Sequence, residues 1–130
     1  GGNGSINVKS TSVVNDNNWH HVAYSWDGST TKIAIDGTWE ASSSTANPFQ
    51  NISTTFKIGY AQSSGSSATF NGYMDEIRVS DVARWSHGSN FSVPTTVYTS
   101  DSNTKLLIHG EAGAASGKVT RIHGTSFAWA

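Results

Sequence analysis

Carboxylates, imidazoles and aromatic rings are the groups in this chain able to do chemistry, and their spacing limits what that chemistry is. The acidic cluster is Asp75, Glu76 and Asp81. Glycan hydrolysis needs two carboxylates roughly 5–9 Å apart facing one cleft, an arrangement that residues i and i+2 of a strand supply. Asp75 and Glu76 are adjacent and so point to opposite faces of a strand, and position 78 holds Arg. Hydrolysis is not expected. Asp75 is expected to accept backbone hydrogen bonds at a strand crossing, and Glu76 to pair with Arg78 on a wet surface. His20 and His21 are neighbours that point opposite ways and cannot chelate one ion together, while His87, His109 and His123 stand alone in sequence. They read as polar strand and edge residues. Cysteine is absent, which removes disulfides, thiol catalysis and thiolate metal clusters together. A sugar site combines an exposed aromatic platform with amide or carboxylate groups, because a pyranose has one apolar face and a rim of hydroxyls. Trp39 after a tight turn, Tyr60 at the mouth of a Ser/Gly run and Asn71 at its far end are the candidate ligand-binding residues. The alternative is that Trp39 and Tyr60 cap the core or fill a subunit contact.

The elements that must position these groups read as strands. Ile6 to Val14 carries β-branched residues among polar ones, and Asn15-Asp16-Asn17-Asn18 follows as a turn. Val22, Tyr24 and Trp26 then fall on one face at period two, with His21, Ala23 and Ser25 on the other. The aromatic face is expected to be buried, so that Trp19, Tyr24, Trp26, Ile33 and Ile77 form the core. Asp27-Gly28 and Asp36-Gly37 are hairpin dipeptides tolerant of positive φ, and they predict an antiparallel meander of segments 22–26, 31–35 and 38–41. Ala41 to Ser53 suits a long surface loop. Phe56, Ile58 and Tyr60 alternate as the next strand, and Ala61 to Ala68 reads as an exposed mobile loop too poor in apolar area to order itself. Phe70 to Ser80 resumes strand character, with Tyr73, Ile77 and Val79 on one face. A short helical turn is expected over Asp81 to His87, then strands over Lys105 to His109 and Lys118 to Ile122 with a small-residue loop at 110–117 between them.

Composition agrees with an all-β chain. Ser and Thr number 35 and Ile plus Val 17, against two Leu and one Met, and branching at the β-carbon favours pleated strands over helices. Five Trp, five Phe and four Tyr supply enough apolar area for a compact core in 130 residues. The net charge of -1 offers no basic field for a phosphate backbone, so nucleic acid is not an expected partner. No apolar run approaches the roughly 20 residues that cross a bilayer, so no membrane insertion is expected. The triplets at Asn3, Asn51 and Asn90 match the N-glycosylation pattern, which matters only in a eukaryotic secretory setting.

Trp19-His20-His21-Val22-Ala23, Trp26-Asp27-Gly28, Ile35-Asp36-Gly37, Phe56-Lys57-Ile58-Gly59 and Phe70-Asn71-Gly72-Tyr73-Met74-Asp75-Glu76-Ile77-Arg78-Val79 occur in that order. Together they resemble the later strands of a laminin-G-like domain of the concanavalin A-like lectin/glucanase superfamily, over about Ser5 to Trp85. The resemblance implies an antiparallel jelly-roll β-sandwich that binds sugars, proteins or cell surfaces, and in some branches hydrolyses glycans. The Glu-x-Asp-x-x-Glu strand of the family's glucanases is missing. The resemblance also implies a structural calcium ion, with Asp75 as its carboxylate candidate. Family domains open with strands ahead of the Trp-His-His-Val segment, and no counterpart of those strands is seen here.

Residues 1–95 therefore read as the later part of the sandwich. Residues 96–130 read as a closing strand and C-terminal extension, or the start of a following repeat. Closing the sandwich calls for strands from 105–109, from 118–122 or from a neighbouring chain, so oligomer formation or tandem packing by strand addition is expected. The functional expectation is a non-catalytic module outside a cell or on a virion, with carbohydrate or a surface protein as partner. The competing class is a purely structural subunit of a fibre, filament or adhesin stalk.

Overall fold

A computed structural model describes residues 8–44, 57–63, 66–110 and 121–124; at 61–63, 66–67 and 121–124 the description is of the backbone. The expected strand at Ile6 to Val14 shows no strand over residues 8–14, and its first two residues lie outside the described set. So do Phe56, residues 45–53 of the expected surface loop, residues 111–117 and 118–120, and the triplets at Asn3 and Asn51.

The expected antiparallel meander forms. β1 (Val22–Trp26), β2 (Thr31–Ile35) and β3 (Thr38–Ser43) pair antiparallel in that order. Asp36 and Gly37 both have positive φ, 50° and 80°, the condition for the two-residue turn whose twist matches that of its strands. The β1–β2 loop is built on Asp27, whose Oδ1 accepts from the Ser29 and Thr30 amides at 2.9 and 2.8 Å. Those backbone bonds, Thr30 first, hold the Asp27 carboxyl down to about 2. Ile33 pairs with Ala41 and Ala34 with Trp39, which leaves Glu40 as the extra residue of a bulge. A bulge re-aims its side chain. Here the Glu40 carboxylate accepts from the Thr11 and Ser12 amides at 2.7 and 3.0 Å, tying the segment before β1 to β3.

A hairpin, β4 (Tyr60–Ser63) with β5 (Ser66–Thr69), occupies the Ser/Gly stretch expected to be an unstructured loop. Composition alone misleads there, because backbone pairing needs no apolar side chain. The third sheet has the order β6 (Ile77–Ser80), β7 (Thr104–His109), β8 (Arg121–Gly124), again antiparallel. Residues 70–76 are irregular rather than strand, and 81–87 are bends and turns rather than a helical turn. Arg84 accounts for the second departure. Its guanidinium forks onto Asp101 at 2.5 and 2.7 Å while Nε donates to Ser80 Oγ at 2.9 Å, so the segment is held open across β6 and the 101–104 turn.

The core is not the aromatic face of β1. Ala23 and Ser25 are buried, whereas Val22 and Tyr24 are 57% and 48% exposed and Trp19 is 70% exposed. Period two marks two faces without saying which is covered. The cover comes from residues 85–91: Trp85 and Phe91 stack at 4.3 Å, and both rings stand edge-on to His21. Small side chains at the cross-strand pair Ala23 and Ala34 leave height for that layer. Thr31 and Ile35 on the opposite face of β2 are buried too, and Leu106 and Leu107 form the core of the third sheet.

Candidate functional site

Among the described residues, three side-chain clusters and one exposed apolar strip are candidate places for chemistry or recognition. The first cluster is at the expected strand crossing. Asp75 Oδ1 accepts from the Glu76 amide at 2.7 Å and from the Gly110 amide at 2.6 Å, which pins the entry of β6 to the end of β7. Glu76 does not pair with Arg78. Its φ of +51° turns the carboxylate toward His109 Nδ1 at 2.7 Å and the Tyr98 amide at 2.6 Å, while Arg78 lies over the Tyr98 ring at 4.1 Å. Both carboxylates are thus engaged in internal bonds. A calcium ion takes six to eight oxygen ligands. Among the described residues no group of three His, Asp or Glu is placed to hold a metal ion.

The second cluster has the composition of a nucleophilic triad, though nothing in the sequence signals it beyond Ser25 and Asp27 falling on one side of Trp26. His87 Nε2 lies 3.0 Å from Ser25 Oγ and His87 Nδ1 lies 3.1 Å from Asp27 Oδ2. The alignment at Nδ1 falls short of a hydrogen bond. Ser25 is 6% exposed, so its hydroxyl faces the 85–91 cover rather than a substrate. Lys32 Nζ donates to the His87 carbonyl at 2.6 Å. The cluster fastens the cover to β1 and β2.

The third cluster surrounds His20 and His21, which point opposite ways just ahead of β1. His20 points outward between Asp16 and Asp36, and both bonds raise its pKa above the ordinary 6.5, Asp36 contributing most. His21 points inward, with Nε2 3.0 Å from the Tyr98 hydroxyl, and burial lowers its pKa below that value.

The candidate ligand residues do not form one site. Trp39 is half-buried: its indole N–H donates to the Ser86 and Ser89 carbonyls at 3.1 and 3.0 Å, and its ring meets His87 and Phe91. Its free edge joins Lys32, Glu40, Ala41 and Ser42 around a shallow recess of about 180 Å³. Tyr60 and Asn71 lie elsewhere, at the open end of the β4–β5 hairpin. Tyr60 is half-buried with Lys57 Nζ 4.3 Å from its ring centre, and Asn71 is exposed.

Beside them runs an exposed apolar strip, which includes Tyr73, expected on one strand face with Ile77 and Val79. Tyr73 is 88% exposed, Phe70 53%, with Met74 and Ile58 also open. The Phe70 amide donates to the Gly59 carbonyl at 2.8 Å, which closes residues 70–74 onto the hairpin. A Cβ placed on Gly72 would lie 2.9 Å from the Phe70 ring, so the ring rests on bare backbone. Reading Phe70 to Ser80 as one strand hid this, since a continuous strand would have aligned Tyr73 with Ile77.

The described elements are all strands paired antiparallel, with an outward aromatic strip at residues 70–74. A family model of the laminin-G type, described as the concanavalin A-like lectin/glucanases superfamily, matches residues 1–87, and the chain belongs to that superfamily. Its architecture is accordingly an antiparallel jelly-roll sandwich. No curated protein and no solved structure matches the chain.

Proposed function

We propose that the chain is a non-catalytic recognition module, displayed outside a cell or on a virion, that holds a carbohydrate on the Phe70–Met74 strip. The exposure of Tyr73 beside Phe70 and Asn71 is the observation that supports this reading. An aromatic face takes the apolar side of a pyranose, and an amide two residues away supplies the donor and acceptor that its hydroxyl rim requires. Tyr60, steadied by Lys57, borders the same surface. A partner protein could use the strip as well, since exposed Tyr and Phe anchor both kinds of contact.

Glycan-array binding, followed by titration calorimetry of the best hit, tests the reading. Tyr73→Ala and Asn71→Ala should each weaken binding about five- to tenfold while leaving the melting temperature unchanged, because a lost stack or hydrogen bond costs roughly 1–1.5 kcal/mol. Trp39→Ala should lower the melting temperature instead. Retained glycan binding in Tyr73→Ala would discard the strip as the site. No glycan binding together with self-association in light scattering would favour an assembly subunit joined through its strand edges.

A further inference from the structure

His20 has a carboxylate oxygen at each ring nitrogen: Asp36 Oδ2 lies 2.8 Å from Nδ1 and Asp16 Oδ1 lies 2.9 Å from Nε2. A neutral imidazole carries one N–H and one lone pair, so it can satisfy one of these oxygens and must repel the other. Only the imidazolium donates to both. The two acids belong to different parts of the chain. Asp16 sits in the turn before β1, where its own carboxylate also accepts from the Asn18 amide and side chain, and Asn17 beside it has a φ of +64°. Asp36 sits in the β2–β3 turn, and its second oxygen accepts from the His21 amide at 2.9 Å.

We propose that Asp16, His20 and Asp36 form a pH-operated clasp that holds the approach to β1 against the β2–β3 turn while His20 is protonated and lets it go when the proton leaves. The titratable groups facing His20 are these two carboxylates, one from each element it bridges. The raised His20 pKa and the lowered Asp16 and Asp36 pKa values agree with that geometry. For His20 the contribution to stability is complete below its unfolded value near 6.5 and is lost as pH rises through the higher folded value. The carboxylates give the opposite limb: their contribution is present above ordinary carboxylate values and is lost as pH falls through the lower folded ones. The clasp is therefore closed between the lowered carboxylate values and the raised His20 value, and open beyond either. Opening loosens residues 13–19, which carry the exposed side chains of Val13, Val14 and Trp19, between the Glu40 tie at Thr11 and Ser12 and the start of β1, so the surface presented beside β1 depends on pH.

Side-chain NMR of the intact chain measures the His20 midpoint, with the His20→Gln variant assigning the signal. Amide-exchange protection at Asn18 and His21, corrected for the intrinsic pH dependence of exchange, reports the clasp. The midpoint should lie above 6.5, fall toward it in Asp16→Asn and in Asp36→Asn, and coincide with a several-fold loss of protection in the native chain. A midpoint at or below 6.5, or protection that stays flat across a raised midpoint, would overturn the proposal. The native titration decides the matter by itself if a variant does not fold.

Discussion

Replacing Gly37 by Ala tests how the 85–91 cover is seated on the meander. Gly37 has a φ of +80°, and a Cβ built there would stand 2.0 Å from the Phe91 carbonyl oxygen. The Phe91 amide donates to the Gly37 carbonyl at 2.9 Å, so the two backbones touch from both sides. A non-glycine residue in the left-handed region costs ~1–2 kcal/mol. Moving Phe91 away sacrifices that hydrogen bond, ~0.5–1.5 kcal/mol, and loosens its stack on Trp85, a further ~0.5–1.5 kcal/mol. The total is about 3 kcal/mol, or roughly 10–15 °C of melting temperature for a domain of this size. Gly28 is the internal control. It occupies the other Asp-Gly turn with a φ of +101° and has open space where its Cβ would be, so Gly28→Ala incurs only the conformational cost. That is ~1–2 kcal/mol, roughly 3–8 °C. Thermal melts of the two variants by circular dichroism separate the terms. If Gly37→Ala and Gly28→Ala melt within about 2 °C of each other, the contact with Phe91 contributes nothing measurable and the seating described here is wrong.

Two further outcomes are expected. Leu107→Ala should cost ~2–5 kcal/mol in denaturant unfolding, because the side chain is 1% exposed on the central strand of its sheet, whereas Trp19→Ala should stay within ~0.5 kcal/mol. A larger loss for Trp19 than for Leu107 would reverse the assignment of faces. His21 should make acid destabilising: its folded pKa is depressed, so its contribution is complete above 6.5 and is lost as pH falls through the folded value. Melting temperatures of the native chain and of His21→Phe should therefore converge between about pH 8 and about pH 5, and a difference independent of pH would refute this.

Local signals in the sequence carried far, and long-range ones did not. The dipeptides at Asp27-Gly28 and Asp36-Gly37 fix turn geometry through two residues each, which is why the antiparallel meander was readable, although the bulge at Glu40 was not. The Asp75 backbone bonds and the opposite directions of His20 and His21 were also expected, although all three residues lie just outside the strands, before β6 and β1. The face of β1 that is buried was misread, because Trp85 and Phe91, which cover it, come from a segment without periodicity. The Ser25, Asp27 and His87 cluster was invisible for the same reason: two partners are local and the third arrives from 60 residues away. Tyr73 was aligned with Ile77 by extending β6 backwards, whereas the positive φ at Glu76, a non-glycine residue with no sequence marker for it, ends the strand there.

The distance along the chain between β6 and β7 has a consequence for how the molecule is made. β1, β2 and β3 are joined by short turns, so they can pair as soon as they emerge from the ribosome. β6 cannot, because its partner follows only after residues 81–103. Those residues are not idle while β6 waits, since they include Trp85, His87 and Phe91, which dock on the meander already formed. Docking shortens the loop that β7 must close, and with it the entropy lost on closure. The aromatic cover thus acts as an assembly jig in time as well as a lid in space, and any change that delays it leaves the edge of β6 open to another nascent chain for longer.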